Sequence, residues 1–139
     1  MNYLTETTLL RNFDLDGFFV GWPNPPSTEV LLKLLESSYR VVVAVDDHKL
    51  VGFITAISDG VLSAYIPFLE VLPNYQGKGI GKELVSKMRE QLSHLYMIDL
   101  LCDQSLVSYY ERLGMIPATG AMIRNYKNQS GCNLLKTPG

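Results

Sequence analysis

The stretch that decides the fold is Val71-Leu-Pro-Asn-Tyr-Gln-Gly-Lys-Gly-Ile-Gly-Lys-Glu-Leu84. It follows an apolar run, turns at Pro73-Asn74 and alternates three glycines with other residues before a helical pattern begins. A strand, a glycine loop and a helix N-terminus in that order form an anion cradle, because exposed N–H groups and the positive end of the helix dipole favour a phosphate. Lys78 and Lys82 add positive charge. The stretch therefore predicts a ligand that carries a phosphate or pyrophosphate.

Two common phosphate-binding patterns do not fit this spacing. A Walker loop needs Gly, four residues and then Gly-Lys-Ser/Thr, whereas Gln76 stands at the first glycine and Glu83 at the magnesium-binding hydroxyl residue. The dinucleotide fingerprint Gly-x-Gly-x-x-Gly would need its third glycine at the position of Lys82. Neither kind of nucleotide site is therefore indicated.

The spacing that does fit is Gln/Arg-x-x-Gly-x-Gly/Ala, which Gln76-Gly-Lys-Gly79-Ile-Gly81 satisfies. It resembles the acyl-coenzyme A loop of the GNAT superfamily of N-acetyltransferases, and Leu69-Glu-Val-Leu-Pro73 resembles the strand before that loop. The segment from Cys102 to Met115 resembles the family's other signature, a helix ending in Tyr-Glu-Lys-Leu-Gly-Phe. From Cys102 to Gly114 it is especially similar to the arylalkylamine N-acetyltransferases. It departs from the family at Asp103, where many members have Asn, and at Met115, where Phe is common. The resemblance covers roughly residues 40 to 124.

The resemblance implies that acetyl-CoA is the co-substrate. In the family fold the strand before the loop splays from its neighbour, and the pantetheine pairs with the free edge like an added strand. The N–H of Val71 is then the expected donor to the thioester carbonyl. The cofactor-binding residues expected on this basis are Leu69, Val71, Gln76, Gly77, Lys78, Gly79, Ile80, Gly81 and Lys82.

Tyr110 and Glu70 are the catalytic candidates. Tyr110 stands where many members of the family have the tyrosine that protonates the departing thiolate; the alternative is a packed helical tyrosine, as expected for its neighbour Tyr109. Glu70 is the only acid on its strand, so we expect it to be the base or the carboxylate that docks the amine. Tyr65 acting through water is one alternative for the base, and a solvated or salt-bridged Glu70 is another.

The acceptor side is expected in the first 39 residues, which carry no diagnostic motif. Trp22, with Phe18 and Phe19, could line a pocket for an aromatic or apolar amine, or form a small satellite core fixed by the proline-rich loop after it. Phe19, Trp22 and Tyr65 are therefore the acceptor-binding candidates.

Composition excludes several other classes of protein. A formal net charge of -2 and the absence of a Lys/Arg block argue against a nucleic-acid binder. Cys102 and Cys132 are not spaced as a metal site, so no metal is expected. The chain shows neither an N-terminal signal pattern nor an apolar run of about 18 residues, so we expect no membrane span and a cytoplasmic location.

The patterns predict one domain with a mixed α/β (α+β) fold, a mostly antiparallel sheet flanked by helices. We expect an acceptor-side region over residues 1–39, an acetyl-CoA-binding core over 40–126 and a tail over 127–139. One predicted helix is capped by Ser27 or Thr28 and runs through Ser38, one continues from the glycine loop, and a short one is capped by Asp103 and ends at Leu113, with Gly114 as its left-handed stop. Predicted strands are Arg40 to Val45, Leu50 to Ser58, Val61 to Leu72, a buried Tyr96 to Cys102 and a final hairpin or strand pair within Met115 to Tyr126, around Thr119-Gly120. Pro67 cannot donate to a ladder and is expected at an edge or a bulge.

The function expected from this combination is N-acetyl transfer from acetyl-CoA directly to a primary amine in a ternary complex. Neither cysteine has the histidine partner that a covalent mechanism needs. A non-catalytic acyl-CoA-binding sensor or regulatory module is the alternative. Small amines, polyamines, amino-acid derivatives and protein amines are all open as acceptors, and the final strands offer one route to a homodimer.

Overall fold

The computed structural model describes residues 1–132. Its strands are β1 (Asn2–Leu4), β2 (Arg40–Asp46), β3 (Lys49–Ser58), β4 (Ser63–Tyr65), β5 (Leu69–Val71) and β6 (Met97–Asp99), and its helices are α1 (Thr28–Ser37), α2 (Ile80–Gln91) and α3 (Val107–Arg112). Short 3-10 turns lie between several of them. Within this part of the chain, no helix combines the length and the apolar character needed to cross a membrane.

The six strands form one sheet in the order β1-β2-β3-β4-β6, and β5 pairs with the same edge of β3 as β4 does. All neighbours are antiparallel except β4 and β6, which are parallel. The predicted mixed, mostly antiparallel fold is therefore confirmed. Because β6 pairs with β4 and not with β5, the sheet is open on the outer side of β5.

Helix α2 covers the central strands and carries the face that the sequence predicts. Its buried residues are Ile80, Leu84, Val85 and Met88. The helix can approach the sheet because β3 has a glycine beneath it: a Cβ built on Gly52 would lie 3.2 Å from Cδ1 of Leu84 and 3.3 Å from the carbonyl oxygen of Glu70. Gly52 therefore sets the distance between α2 and the strands that lead to the glycine loop.

The first 27 residues contribute to the sheet, which the sequence did not predict. Strand β1 pairs with β2, with Tyr3 opposite Ala44. Helix α1 then begins after Ser27, whose side chain accepts a hydrogen bond from the N–H of Val30 at 3.2 Å, an N-cap that the sequence predicts. Strand pairing thus joins the acceptor-side region to the core. The sequence did not predict β1, because a strand of three residues is too short to give a recognisable pattern without its partner.

The single strand predicted from Val61 to Leu72 is wrong, because the chain forms two short strands, β4 and β5, instead. Pro67 lies in the gap between them, and it has no N–H to donate to a ladder. The N–H of Ile66 donates to the carbonyl of Asp99 at 2.9 Å, toward β6, while the carbonyl of Phe68 accepts from Thr55 of β3 at 3.1 Å. The proline therefore marks the point at which the chain leaves β6 and continues on β3 alone.

The predictions for the C-terminal third were less accurate. The strand predicted as buried from Tyr96 to Cys102 is only Met97–Asp99, and the first and last of these residues are exposed. The strand pair predicted within residues 115–126 is wrong, because no strand lies between Asp99 and the end of the described residues. Ile116 and Ile123 are exposed there, at 88% and 85%.

The C-terminal end of α3 agrees with the sequence, whereas its start does not. The helix stops just before Gly114, the predicted left-handed residue, which has φ +93°. The N–H of Met115 donates to the carbonyl of Tyr110 and that of Gly114 to the carbonyl of Glu111, both at 3.0 Å, the pattern of a Schellman cap. Asp103 precedes a 3-10 turn ahead of α3 but makes no capping bond with its side chain.

The predicted tail over residues 127–139 is only partly described. Its first residues are tied to the rest of the chain, since the N–H of Asn24 donates to Oε1 of Gln129 at 2.9 Å. A Cβ built on Gly131 would lie 2.8 Å from Cγ1 of Val30, so this segment also packs against α1. The remainder of the tail, residues 133–139, lies outside the described residues.

Candidate active site

Strand β5 presents one edge to β3 and leaves the other open. Its register places Leu69 opposite Ile54 and Val71 opposite Gly52. The N–H of Leu72 donates to Val51 at 2.9 Å, and because inward bonds alternate along an antiparallel pair, the N–H groups of Leu69 and Val71 point away from β3. No strand among residues 1–132 pairs with that outer edge. An extended ligand can therefore bond there as an added strand.

The glycine loop connects this open edge to the start of α2. Gly77 and Gly79 have φ of +77° and +83°, and a Cβ on either would meet nothing within 4 Å, so these glycines are required by backbone conformation and not by space inside the protein. Gly79 is the N-cap of α2 and has no side chain with which to cap it. The space above both glycines is open to a ligand.

The first N–H groups of α2 are available for an anion. The first intrahelical bond runs from the N–H of Glu83 to the carbonyl of Gly79, at 3.1 Å. Within the described residues, no backbone or side-chain acceptor lies on the N–H groups of Ile80, Gly81 and Lys82. The exposed side chains of Lys78 and Lys82 add positive charge, and neither forms an ion pair within this part of the chain. The free N–H groups, the dipole of α2 and the charges of the two lysines all favour an anionic ligand at this place.

Two side chains hold the loop in place. Nε2 of Gln76 donates to the carbonyl of Val71 at 3.0 Å, so this residue fastens the loop back onto β5. The hydroxyl of Tyr75 donates to Oδ2 of Asp46 at 2.9 Å, and the ammonium of Lys78 lies 5.2 Å from the centre of the Tyr75 ring. Sequence analysis missed Tyr75, because its partner lies 29 residues away in β2.

Helix α3 carries two neighbouring tyrosines, Tyr109 and Tyr110. Tyr110 is half-buried and its ring lies edge-on to that of Tyr109, with centroids 5.1 Å apart. No group among the described residues hydrogen-bonds its hydroxyl. Burial, with smaller contributions from Tyr109 and Cys102, raises the pKa of Tyr110 to about 12. The phenol therefore stays protonated at neutral pH and can donate a proton.

Tyr109, which the sequence suggests is a packing residue, contacts the glycine loop. A Cβ built on Gly81 would lie 2.5 Å from the Tyr109 hydroxyl oxygen and 3.9 Å from Cγ2 of Val71. The third glycine of the motif thus gives room for the Tyr109 hydroxyl beside the end of β5. Burial raises the pKa of Tyr109 as well. Gly81 lies within the helical pattern, and such a glycine is the sequence feature that would indicate a close contact of this kind. Its φ is not positive, so the backbone conformation does not require a glycine there.

Glu70 faces the acceptor side of the molecule. Its two carboxylate oxygens accept the N–H of Phe19 at 3.0 and 2.9 Å, and the N–H of Val20 lies 3.5 Å from Oε2. Burial raises the pKa of Glu70, and these N–H groups oppose that shift. The carboxylate is therefore bonded to backbone N–H groups and forms no salt bridge within the described residues.

The acceptor candidates occupy different environments. Phe19 is 4% exposed and packs edge-on against Phe53 and Phe68, whereas Trp22 is 38% exposed and lies against Phe19 with ring centroids 4.9 Å apart. Tyr65 is half-buried at the end of β4. A cleft of about 200 Å³ opens beside the acceptor-side loop that carries Phe19. Its lining includes atoms of Phe18, Phe19, Pro25, Pro26 and Leu31. Trp22 thus offers the most aromatic surface, and Phe19 belongs mainly to the core.

A comparison with known proteins identifies the family of this chain. The profile of the Acetyltransferase (GNAT) family matches residues 7–115. The chain belongs to this family. Within residues 1–132, no group of three or more His, Cys, Asp or Glu side chains is arranged to hold a metal ion.

Relatives and solved structures agree with the GNAT assignment. A Deinococcus radiodurans R1 protein assigned as an acetyltransferase is 39% identical with a TM-score of 0.86, over 93% of this chain and 91% of its own. The uncharacterized N-acetyltransferase ycf52 of Pyropia yezoensis is 31% identical over 121 residues, 82% of this chain and 70% of that protein. GCN5-related N-acetyltransferase 2, chloroplastic, of Arabidopsis thaliana is 32% identical over 126 residues, 73% of this chain and 48% of that protein. The predicted family is confirmed, whereas the closer likeness to arylalkylamine acetyltransferases stays a prediction.

Proposed function

We propose that this GNAT protein is an N-acetyltransferase that moves the acetyl group of acetyl-CoA directly to a primary amine in a ternary complex. The observation that carries the proposal is the open edge of β5, which the glycine loop connects to the uncapped N-terminus of α2. The edge of β5 suits the amide-containing pantetheine, and the N-terminus of α2 suits the pyrophosphate. Acetyl-CoA has both groups in that order, and ATP or a dinucleotide has only the second.

The cofactor is proposed to lie along the full length of this groove. The outward N–H and carbonyl groups of Leu69 and the N–H of Val71 would bond the pantetheine, since the carbonyl of Val71 is already held by Gln76. The N–H groups from Gly77 to Lys82 would surround the pyrophosphate. Tyr109, at the junction of loop and strand, would contact the pantetheine between them.

The chemistry proposed for this groove is direct transfer. The amine nitrogen attacks the thioester carbonyl carbon, a C–N bond forms and the C–S bond breaks. The N–H of Val71 is the proposed donor to the carbonyl oxygen as it gains negative charge. The attacking amine loses its proton to water, and Tyr110 gives its hydroxyl proton to the departing thiolate, which leaves as the coenzyme A thiol. The Tyr110 phenolate then takes a proton back from solvent, which restores the enzyme. No acyl-enzyme is needed, because both substrates occupy the site together.

The acceptor is proposed to be an amine that approaches from the side of Trp22, and the net charge of -2 favours cationic acceptors. A cytoplasmic location stays a prediction, and one relative is named as chloroplastic. The homodimer through the final strands also stays a prediction, since those strands are not formed in residues 1–132.

A thiol-release assay tests the proposal. Purified protein is incubated with acetyl-CoA and a panel of arylamines, alkylamines, polyamines and lysine peptides, and products are identified by mass. We expect one class of amine to gain a single acetyl group for each thiol released. If acetyl-CoA binds tightly and no amine in the panel is acetylated, the transferase proposal fails and the acyl-CoA-binding module replaces it.

A further inference from the structure

The acceptor-side loop before Trp22 has an unusual backbone. Three residues at alternate positions, Gly17, Phe19 and Gly21, have φ of +100°, +60° and +83°. A bulky residue such as phenylalanine rarely adopts a positive φ, so surrounding contacts must hold it. Alternation of left-handed residues with others turns neighbouring N–H groups to one side, which makes a small concave site for an anion called a nest.

The anion in this nest is the carboxylate of Glu70. The N–H of Phe19 donates to both of its oxygens at 3.0 and 2.9 Å, and the N–H of Val20 adds a longer contact of 3.5 Å. These residues are 51 and 50 positions apart in the sequence, so the contact joins two distant segments. Gly17 also lies close to β5, because a Cβ built on it would be 3.2 Å from Cδ2 of Leu72.

The loop that Glu70 holds carries the exposed aromatic surface of the acceptor side. The Phe19 ring packs against Phe53 and Phe68 of the core, and the ring of Trp22 rests on it at 4.9 Å. Glu70 itself lies between Leu69 and Val71, the residues whose open N–H groups face the groove. The carboxylate thus connects the strand on which the cofactor is proposed to lie with the loop that faces the acceptor.

We propose that Glu70 is a positioning residue whose carboxylate, seated in the nest of residues 17–21, fixes the acceptor loop and Trp22 against β5, and that it is not the base of the reaction. This rests on the proposed acetyl transfer. A proton accepted from the amine would place a carboxyl O–H among donors that need an acceptor, and it would weaken the bonds that hold the loop. Water then takes the amine proton, and Glu70 determines how well the acceptor is bound.

Glu70→Gln distinguishes a positioning residue from a base. Glutamine keeps a carbonyl oxygen for the Phe19 N–H but cannot take up a proton at neutral pH. We expect kcat within about threefold of wild type and an acceptor KM about three- to tenfold higher, whereas Glu70→Ala should raise the acceptor KM about 10²-fold, since hydrogen bonds to a charged group are lost. Glu90→Gln, the same change on an exposed position of α2, is the matched control and should leave both constants unchanged.

Fluorescence of Trp22 supplies a readout that does not depend on turnover. Trp22 is the only tryptophan of the chain, so its quenching by acrylamide reports on this loop alone. We expect quenching to increase in Glu70→Ala, to increase less in Glu70→Gln, and to stay at the wild-type level in Glu90→Gln. Even if no amine is acetylated by the wild type, this measurement shows whether Glu70 holds the loop, so the two proposals fail separately.

The opposite pattern overturns the inference. If Glu70→Gln lowers kcat by about 10²-fold or more while acceptor KM and Trp22 quenching stay unchanged, Glu70 is the base. Unchanged Trp22 quenching in Glu70→Ala also overturns it. Should Glu70→Ala not fold, Glu70→Gln with its kcat, KM and quenching values decides alone.

Discussion

Replacement of Tyr110 by phenylalanine is expected to lower kcat about 10²-fold, the usual contribution of a well-placed general acid. The phenylalanine ring keeps the packing against Tyr109, whose centroid lies 5.1 Å away, and removes only the hydroxyl that no described residue engages. Because the pKa of Tyr110 is raised to about 12, the wild-type enzyme keeps its acid protonated across the neutral and mildly alkaline range. Ionisation of Tyr110 should therefore not lower kcat at any pH below about 11.

Steady-state kinetics of three tyrosine variants test this assignment. Tyr96→Phe is the control, since Tyr96 is 82% exposed at the start of β6 and should leave kcat unchanged. The dissociation constant of acetyl-CoA should stay within about threefold in Tyr110→Phe, because a proton donor to the leaving group contributes mainly in the transition state. If Tyr109→Phe loses kcat and Tyr110→Phe does not, the proton donor is the tyrosine next to Gly81, and our assignment is wrong.

Gly79→Ala is expected to weaken acetyl-CoA binding about 10²-fold. The added methyl group should keep the backbone N–H groups away from the charged pyrophosphate, so hydrogen bonds to a charged group are lost. The new Cβ meets no protein atom within 4 Å, so it extends only into the space where we propose that the pyrophosphate binds. The left-handed φ of +83° adds a smaller cost of about 1 kcal/mol to the folded state. Calorimetric titration with acetyl-CoA measures the affinity, and thermal unfolding measures the stability.

Gly60→Ala separates these two effects. Gly60 has a similar φ of +77° in the turn between β3 and β4, and its nearest neighbours are atoms of the Tyr39 ring at 3.6 Å or more. Both alanine variants should therefore lose similar stability, while only Gly79→Ala loses affinity for acetyl-CoA. Equal affinities in Gly60→Ala and Gly79→Ala would mean that the loop does not contact the cofactor.

Local chemistry explains what the sequence predicted well. The glycine loop, the helix that starts immediately afterwards and the cap at Ser27 each depend on a few neighbouring residues. The family resemblance added the expected ligand of that loop, an extended cofactor on an open strand. Pro67 has no N–H for a ladder, so the sequence places it at an edge or a bulge, but its consequence, the separation of β4 from β5, depends on which strands lie beside it.

Contacts between distant segments explain what the sequence could not predict. Strand β1 has three residues and exists through its pairing with β2. The nest around Glu70 needs the loop at Phe19 to reach a strand 51 residues later, and neither segment carries a recognisable signal for the other. The strand pair predicted around Thr119-Gly120 is not formed, and the apolar residues Ile116 and Ile123 on either side of that turn are exposed. A local turn signal does not create a strand pair when the flanking residues find no buried face.

The most direct test of the central claim is the melting temperature of the full chain with acetyl-CoA, ATP or NAD. A ligand that binds only the folded state stabilises it by about 2.7 kcal/mol at a hundredfold excess over its Kd. We predict a clear rise in Tm with acetyl-CoA alone, and a smaller rise in Gly79→Ala. No rise with acetyl-CoA, or an equal rise with ATP, would contradict the assignment of the open edge of β5 and the glycine loop to acetyl-CoA.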